Sequence, residues 1–103
     1  MIIYRVTVEV NNDIEIDWLK WMKEIHIPDV INTGYFFDWK IEKQIFPDNS
    51  PAETTYIINY YANTISDYQK YFERDATRLQ EEHNKKYSGK FQASRIILET
   101  LPK

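Results

Sequence analysis

Two histidines, two strand arginines and one strand asparagine are the side chains of this 103-residue sequence with the best claim to chemistry. An unperturbed imidazole titrates near neutrality, so His26 at a pocket mouth would serve as a general base. It would equally cap the free carbonyls where a helix breaks before Pro28, and that structural role is the preferred reading. His83 falls on an apolar helical stripe near a helix C-terminus, the usual place of a satisfied core histidine. Arg5, Asn59 and Arg95 fall on strand-like segments, assigned to the sheet face away from the helices, and a buried arginine needs a partner. Glu9 and Glu99 would supply one in a structural salt-bridge layer. An anionic or carbonyl-bearing small molecule would supply one in an apolar pocket with few polar groups. Arg5, His26, Asn59 and Arg95 are therefore the candidate ligand-binding residues, and no residue qualifies as catalytic.

A metal site would draw on Glu24, His26 and Asp29, or on Glu82 and His83. Zinc asks for three or four convergent ligands. Glu24 and His26 are two residues apart and diverge on a helix, and Asp29 lies beyond Pro28. Antiparallel helices would also set His26 and His83 at opposite ends of the subunit. No metal is expected. Gly34 and Gly89 are the only glycines, too few for a dinucleotide fingerprint or a phosphate-cradling loop, and no G-x-S-x-G elbow occurs. No cofactor is expected either. Trp18 and Trp21 could wall a planar ligand, but beside Met22 and Ile25 their spacing reads as core.

The elements that must hold these residues follow from periodicity. Residues 2–10 alternate, with Ile2, Tyr4, Val6, Val8 and Val10 on one strand face. Asn11-Asn12-Asp13 turns into a helix, Asn12 capping it with Glu15 three residues on. Ile14, Trp18, Trp21, Met22 and Ile25 share the buried face of that helix. It should end or kink at Pro28, with a last turn through Val30 closed by Gly34. Tyr35–Phe46 reads as a long strand, residues 47–51 as a hairpin loop and Glu53–Ala62 as a third strand. A second helix starts within Thr64–Asp67 and buries Tyr68, Phe72, Ala76, Leu79, His83 and Tyr87 before Gly89. Phe91–Leu101 is the last strand. Each glycine separates a helix from the next strand, so strand–helix–strand occurs twice. Joined by the hairpin, the two units make a single ferredoxin-like βαββαβ domain over residues 1–103, α+β in class, with an antiparallel four-stranded sheet and both helices on one face.

The free sheet face keeps residues such as Ile3, Ile57, Tyr61, Ile97 and Phe46. With 16% of the residues aromatic, a wholly wet face is a poor fit, and a homodimer that pairs two sheets as a dimeric α/β barrel is expected. The net charge of −3 and a pI near 5.3 argue against a nucleic-acid partner. Lys85, Lys86 and Lys90 suit a helix C-terminus instead. No apolar run reaches the roughly 18 residues of a membrane span, and there is no cysteine. A cytoplasmic protein without a membrane partner is expected.

Trp18, Leu19, Trp21, Met22, His26, Ile27, Pro28, Val30, Thr33 and Gly34 form the pattern W-L-x-W-M-x-x-x-H-I-P-x-V-x-x-T-G. It resembles a small bacterial family known only as a domain of unknown function. The likeness extends to the opening MIIYRVTVEV, the tyrosine-rich third strand and Ala93–Leu98. In fold the chain resembles the dimeric α/β barrel superfamily, which includes antibiotic-biosynthesis monooxygenases, muconolactone isomerases and stress-responsive barrels. Shared fold carries no function across, and the closer family brings no catalytic residues. The leading expectation is a non-enzymatic homodimer that binds a small molecule or a partner protein. The alternative is a cofactor-independent oxygenase or isomerase with a cavity between the paired sheets, which requires His26 or Arg95 to point into an enclosed space. A purely structural assembly module would instead fill that space with aromatic side chains.

Overall fold

Residues 1–103 are described by a computed structural model. β1 (Ile2–Asn11), β2 (Asp38–Lys43), β3 (Glu53–Ala62) and β4 (Phe91–Glu99) form one antiparallel sheet in the order β2-β3-β1-β4. Two long helices cover one face, which gives the expected ferredoxin-like βαββαβ arrangement. No helix is long and apolar enough to cross a membrane.

Both helices are unbroken but change pitch midway. The first runs as α1 (Glu15–Trp21), a π-helical turn (Met22–His26) and α2 (Ile27–Ile31). The Ile27 N–H donates to the Met22 carbonyl, five residues back. The helix does not end at Pro28: the wide turn just ahead gives the ring room, and Pro28 sits in the first turn of α2, the short last segment expected through Val30. Gly34 then takes φ +88° and closes the helix, as its position predicts. The second helix repeats the device with α3 (Ile65–Tyr71), a π-helical turn (Phe72–Ala76) and α4 (Thr77–Lys86). The Thr64 hydroxyl caps it by accepting from the Asp67 N–H at 3.3 Å.

Each π turn inserts one residue, so the buried stripe steps by five there, from Met22 to Ile27 and from Tyr71 to Ala76. A uniform 3.6-residue period had placed Ile25 and Phe72 inside. They are 49% and 60% exposed. Asn12 does not cap α1 either. Its amide accepts from the Thr54 hydroxyl at 2.7 Å and donates to the Pro51 carbonyl at 2.9 Å, tying the start of β3 to the end of β1. Glu15 accepts from the Tyr56 hydroxyl at 2.6 Å rather than completing a capping box.

β2 is shorter than expected. The chain leaving Gly34 turns Phe36 into the core and Phe37 outward before Asp38 begins the strand. Ile2, Tyr4, Val6, Val8 and Val10 face the helices with Tyr56, Ile58 and Tyr60 of β3. Val8, Val10, Trp18, Ile27, Val30, Ile58 and Leu79 are fully covered, and each contributes roughly 1.5–3 kcal/mol by leaving water. Most of the aromatic load also ends here. The Tyr4 ring lies within 5.2–5.9 Å of Phe36, Tyr60, Tyr68 and Tyr71.

Candidate functional site

The polar groups that face one another lie between the helices and the sheet. The first π turn ends on His26 and rotates its imidazole inward. α4 brings His83 to it, with ring centroids 5.4 Å apart. The expectation that these two stand at opposite ends of the subunit is wrong. It treated both helices as regular and ignored the reach of two inward-pointing rings. No third His, Cys, Asp or Glu joins them.

His83 is fixed from three sides. Its Nε2 accepts from the Trp18 indole N–H at 2.9 Å, and Phe91 stacks on its face at 3.9 Å with a 7° interplanar angle. Trp21 lies 5.6 Å from it and 5.0 Å from His26. The two indoles are thus the walls of the histidine pair as well as core. His26 Nδ1 is the one buried side-chain nitrogen or oxygen without a hydrogen-bond partner. Burial lowers the pKa of His26 to about 4, with the Arg95 charge adding to it and Asp29 opposing. Burial lowers His83 to about 3, followed by His26 and Arg95. Both imidazoles are neutral at physiological pH.

The rest of the lining comes from the sheet and the second helix. Tyr4, Tyr60, Tyr71, Gln80 and Arg95 complete a crevice with His26 and His83 over an apolar floor that includes Val6, Val8 and Ile58. The Tyr4 hydroxyl sits among Arg95, Gln80 and Tyr71, and burial raises its pKa against the pull of Arg95. Burial raises Tyr71 and Tyr60 as well. About 20 Å³ is open inside, room for a single water, which needs on the order of 10–15 Å³. Beyond Arg95 an open groove of about 300 Å³ runs along β4, lined by Asn84, Ser88, Gly89, Phe91 and Ala93.

Of the four residues singled out from sequence, His26 and Arg95 meet in this crevice. Arg5 and Asn59 do not. Register explains the division: Arg95 stands opposite Val6 in the helix-facing row, while Arg5 stands opposite Asn59 in the other. On that open face Arg5 Nε donates to Asn59 Oδ1 at 2.9 Å, and Asn59 is only 5% exposed. Neither arginine forms an ion pair with Glu9 or Glu99. The polar space therefore lies on the helix side of the sheet, not on the side assigned from sequence. Sequence reasoning missed Tyr4, Tyr60, Tyr71 and Gln80. The alternation Phe91–Ala93–Arg95–Ile97 was the available signal for the face of Arg95, and the π turn that turns His26 inward left no such mark.

A family model described as "Domain of unknown function (DUF4286)" matches residues 1–101. Among curated proteins none matches. Solved structures share the fold at low identity. A dimeric ferredoxin-like protein from an uncultured marine organism aligns with TM-score 0.71 and 14% identity, covering 100% of this chain and 97% of its own. A MhuD mutant with two manganese protoporphyrin IX molecules bound per active site aligns at 0.69 and 10%, covering 100% and 97%. A candidate antibiotic biosynthesis monooxygenase of Nitrosomonas europaea aligns at 0.67 and 14%, covering 99% and 100%.

Proposed function

We propose that this chain, which belongs to the DUF4286 family, is a homodimer that holds a small molecule where the crevice between its helices and its sheet opens past Arg95 into the outer groove. The observation that carries the reading is the crevice itself: His26, Arg95, Gln80 and three tyrosine hydroxyls converge over an apolar floor. A few placed polar groups in an apolar cleft are the general form of a ligand site. The dimer is supported by the open sheet face, where Ile3, Ile57 and Leu98 are half-buried and Ile96 is exposed. It is supported too by the description of one structural neighbour as dimeric.

A cofactor-independent enzyme is the second reading, favoured by His26 and Arg95 both facing into the crevice. A general base works best with a pKa near the working pH, and His26 lies at about 4. As a base at neutral pH it would be weak, so binding is the better account. Native mass spectrometry of the purified protein tests the reading. A dimer carrying a small molecule that is released on unfolding is the expected result. A ligand-free protein with no affinity for any small organic probe overturns it.

A further inference from the structure

We infer that Arg95 anchors the carboxylate of a monoanionic organic acid, whose apolar body lies in the outer groove along β4. The inference rests on the crevice being the ligand site. Arg95 is the one residue that lines both the inner crevice and the outer groove. None of the other residues around either space is acidic, and no carboxylate of the chain pairs with its guanidinium. In a protein of net charge −3, that leaves a single unmatched cation between two spaces.

Size assigns the parts of the ligand. About 20 Å³ inside admits the oxygens of a head group, while about 300 Å³ outside admits a body. Phe91 and Ala93 give that body an apolar floor, and Asn84 and Ser88 give it polar flanks. Charge assigns the head. A guanidinium fork matches a carboxylate in two parallel hydrogen bonds. The groups facing Arg95 from the other elements are neutral: Tyr4 from β1, Tyr60 from β3, His26 from the first helix, and Tyr71, Gln80 and His83 from the second. The carboxylates nearest in effect, Asp29 beside His26 and Asp75 beside Tyr71, line neither space. One positive charge suits one negative charge better than the two of a phosphate.

Benzoate is the probe, with benzamide and inorganic phosphate as comparators, titrated into the full chain and followed by amide and indole NMR shifts. Benzoate should saturate and move Phe91, Ala93 and the Trp18 indole N–H, with phosphate weaker and benzamide weaker still. Arg95→Gln should weaken benzoate at least tenfold, Arg95→Lys should restore part of it, and Arg5→Gln on the opposite face should change nothing. Arg95 is exposed, so both variants at that position should keep the parent melting temperature. If benzamide binds the same residues as tightly as benzoate, or Arg95→Gln leaves benzoate binding intact, the carboxylate assignment is overturned and the crevice reading stands. If no probe binds, both fall.

Discussion

Trp18 and His83, on different helices, share a buried hydrogen bond of 2.9 Å in which the indole N–H donates to Nε2 of the imidazole. An indole nitrogen only donates, so His83 must present a lone pair there and carry its proton on Nδ1. A protonated His83 would set one N–H against another. The bond therefore selects the neutral form, in the direction that burial, His26 and Arg95 already impose.

Acid should destabilise the fold through this pair. His26 at about 4 and His83 at about 3 lie below the ordinary 6.5, so the unfolded chain takes up protons first as pH falls. The stabilisation is complete above pH 6.5 and is lost progressively below it, until the folded values are reached. By pH 5 each imidazole costs about 2 kcal/mol relative to neutral pH. Urea denaturation at pH 7.5 and pH 5 measures the loss. A His83→Gln variant, whose side-chain oxygen can still accept from Trp18, should show roughly half of it. An acid slope unchanged in that variant would assign the effect to carboxylates instead.

Trp18→Phe should cost about 2–4 kcal/mol, from a smaller ring in a covered site and a buried acceptor left without its donor. His83 should titrate at a higher pH in this variant, because the neutral form loses a bond made only to it. Denaturant melts and imidazole NMR shifts read the two effects separately. A stability loss with no change in His83 titration would make the bond incidental.

Much of the architecture is legible in the order of residues. The strict alternation of Ile2–Val10 marks which face of β1 is buried, and Gly34 and Gly89 mark where helices hand over to strands, both at positive φ. Tyr56, Ile58 and Tyr60 likewise fall on the buried side. What is not legible is the wide turn at the middle of each helix, which shifts the phase of the first beyond its midpoint and displaces one position, Phe72, in the second. A uniform period puts Ile25 inside the first helix, whereas the wide turn puts His26 and Ile27 there. In the second helix the same period puts Phe72 inside in place of Tyr71, while Ala76, Leu79, His83 and Tyr87 beyond the turn are buried as the stripe predicts. No single residue announces such a turn, since it arises from two helical halves each seeking its own apolar face. The error then passes to the site: with the wrong phase, His26 sits at a margin and the pair with His83 is invisible.

Deletions should expose this phasing. Removing Glu73, exposed within the second π turn, leaves Tyr71 and Ala76 four residues apart and converts the turn to ordinary α-helix. The fold should survive with a loss of about 1–2 kcal/mol from local rearrangement. Removing Glu81, equally exposed but inside α4, rotates His83 and Tyr87 about 100° off the core and should abolish folding. Circular dichroism and thermal melts distinguish the two. Equal tolerance of both deletions would show that the π turn carries no phase information.

The homodimer is testable on the face that carries Arg5 and Asn59. Ile57, half-buried on a central strand, stands opposite Thr7, with Ile3, Tyr61, Ile96 and Leu98 in the neighbouring rows. Four strands spaced about 4.8 Å apart and some 30 Å long present on the order of 600 Å², near the roughly 800 Å² per partner of a stable interface. Face-to-face pairing would cover the half-wet apolar rows and leave the Arg5–Asn59 hydrogen bond as a polar layer between sheets. Ile57→Lys puts a charge at the middle of that surface, where the partner's copy would oppose it across the two-fold axis. Sedimentation equilibrium should then find a monomer at concentrations where the parent is a dimer. The monomer should keep its helix content, since Ile57 faces away from the helices. A parent chain that sediments as a monomer at every concentration would remove the dimer and leave the helix-side crevice, wholly within one chain, as the place where a ligand is bound.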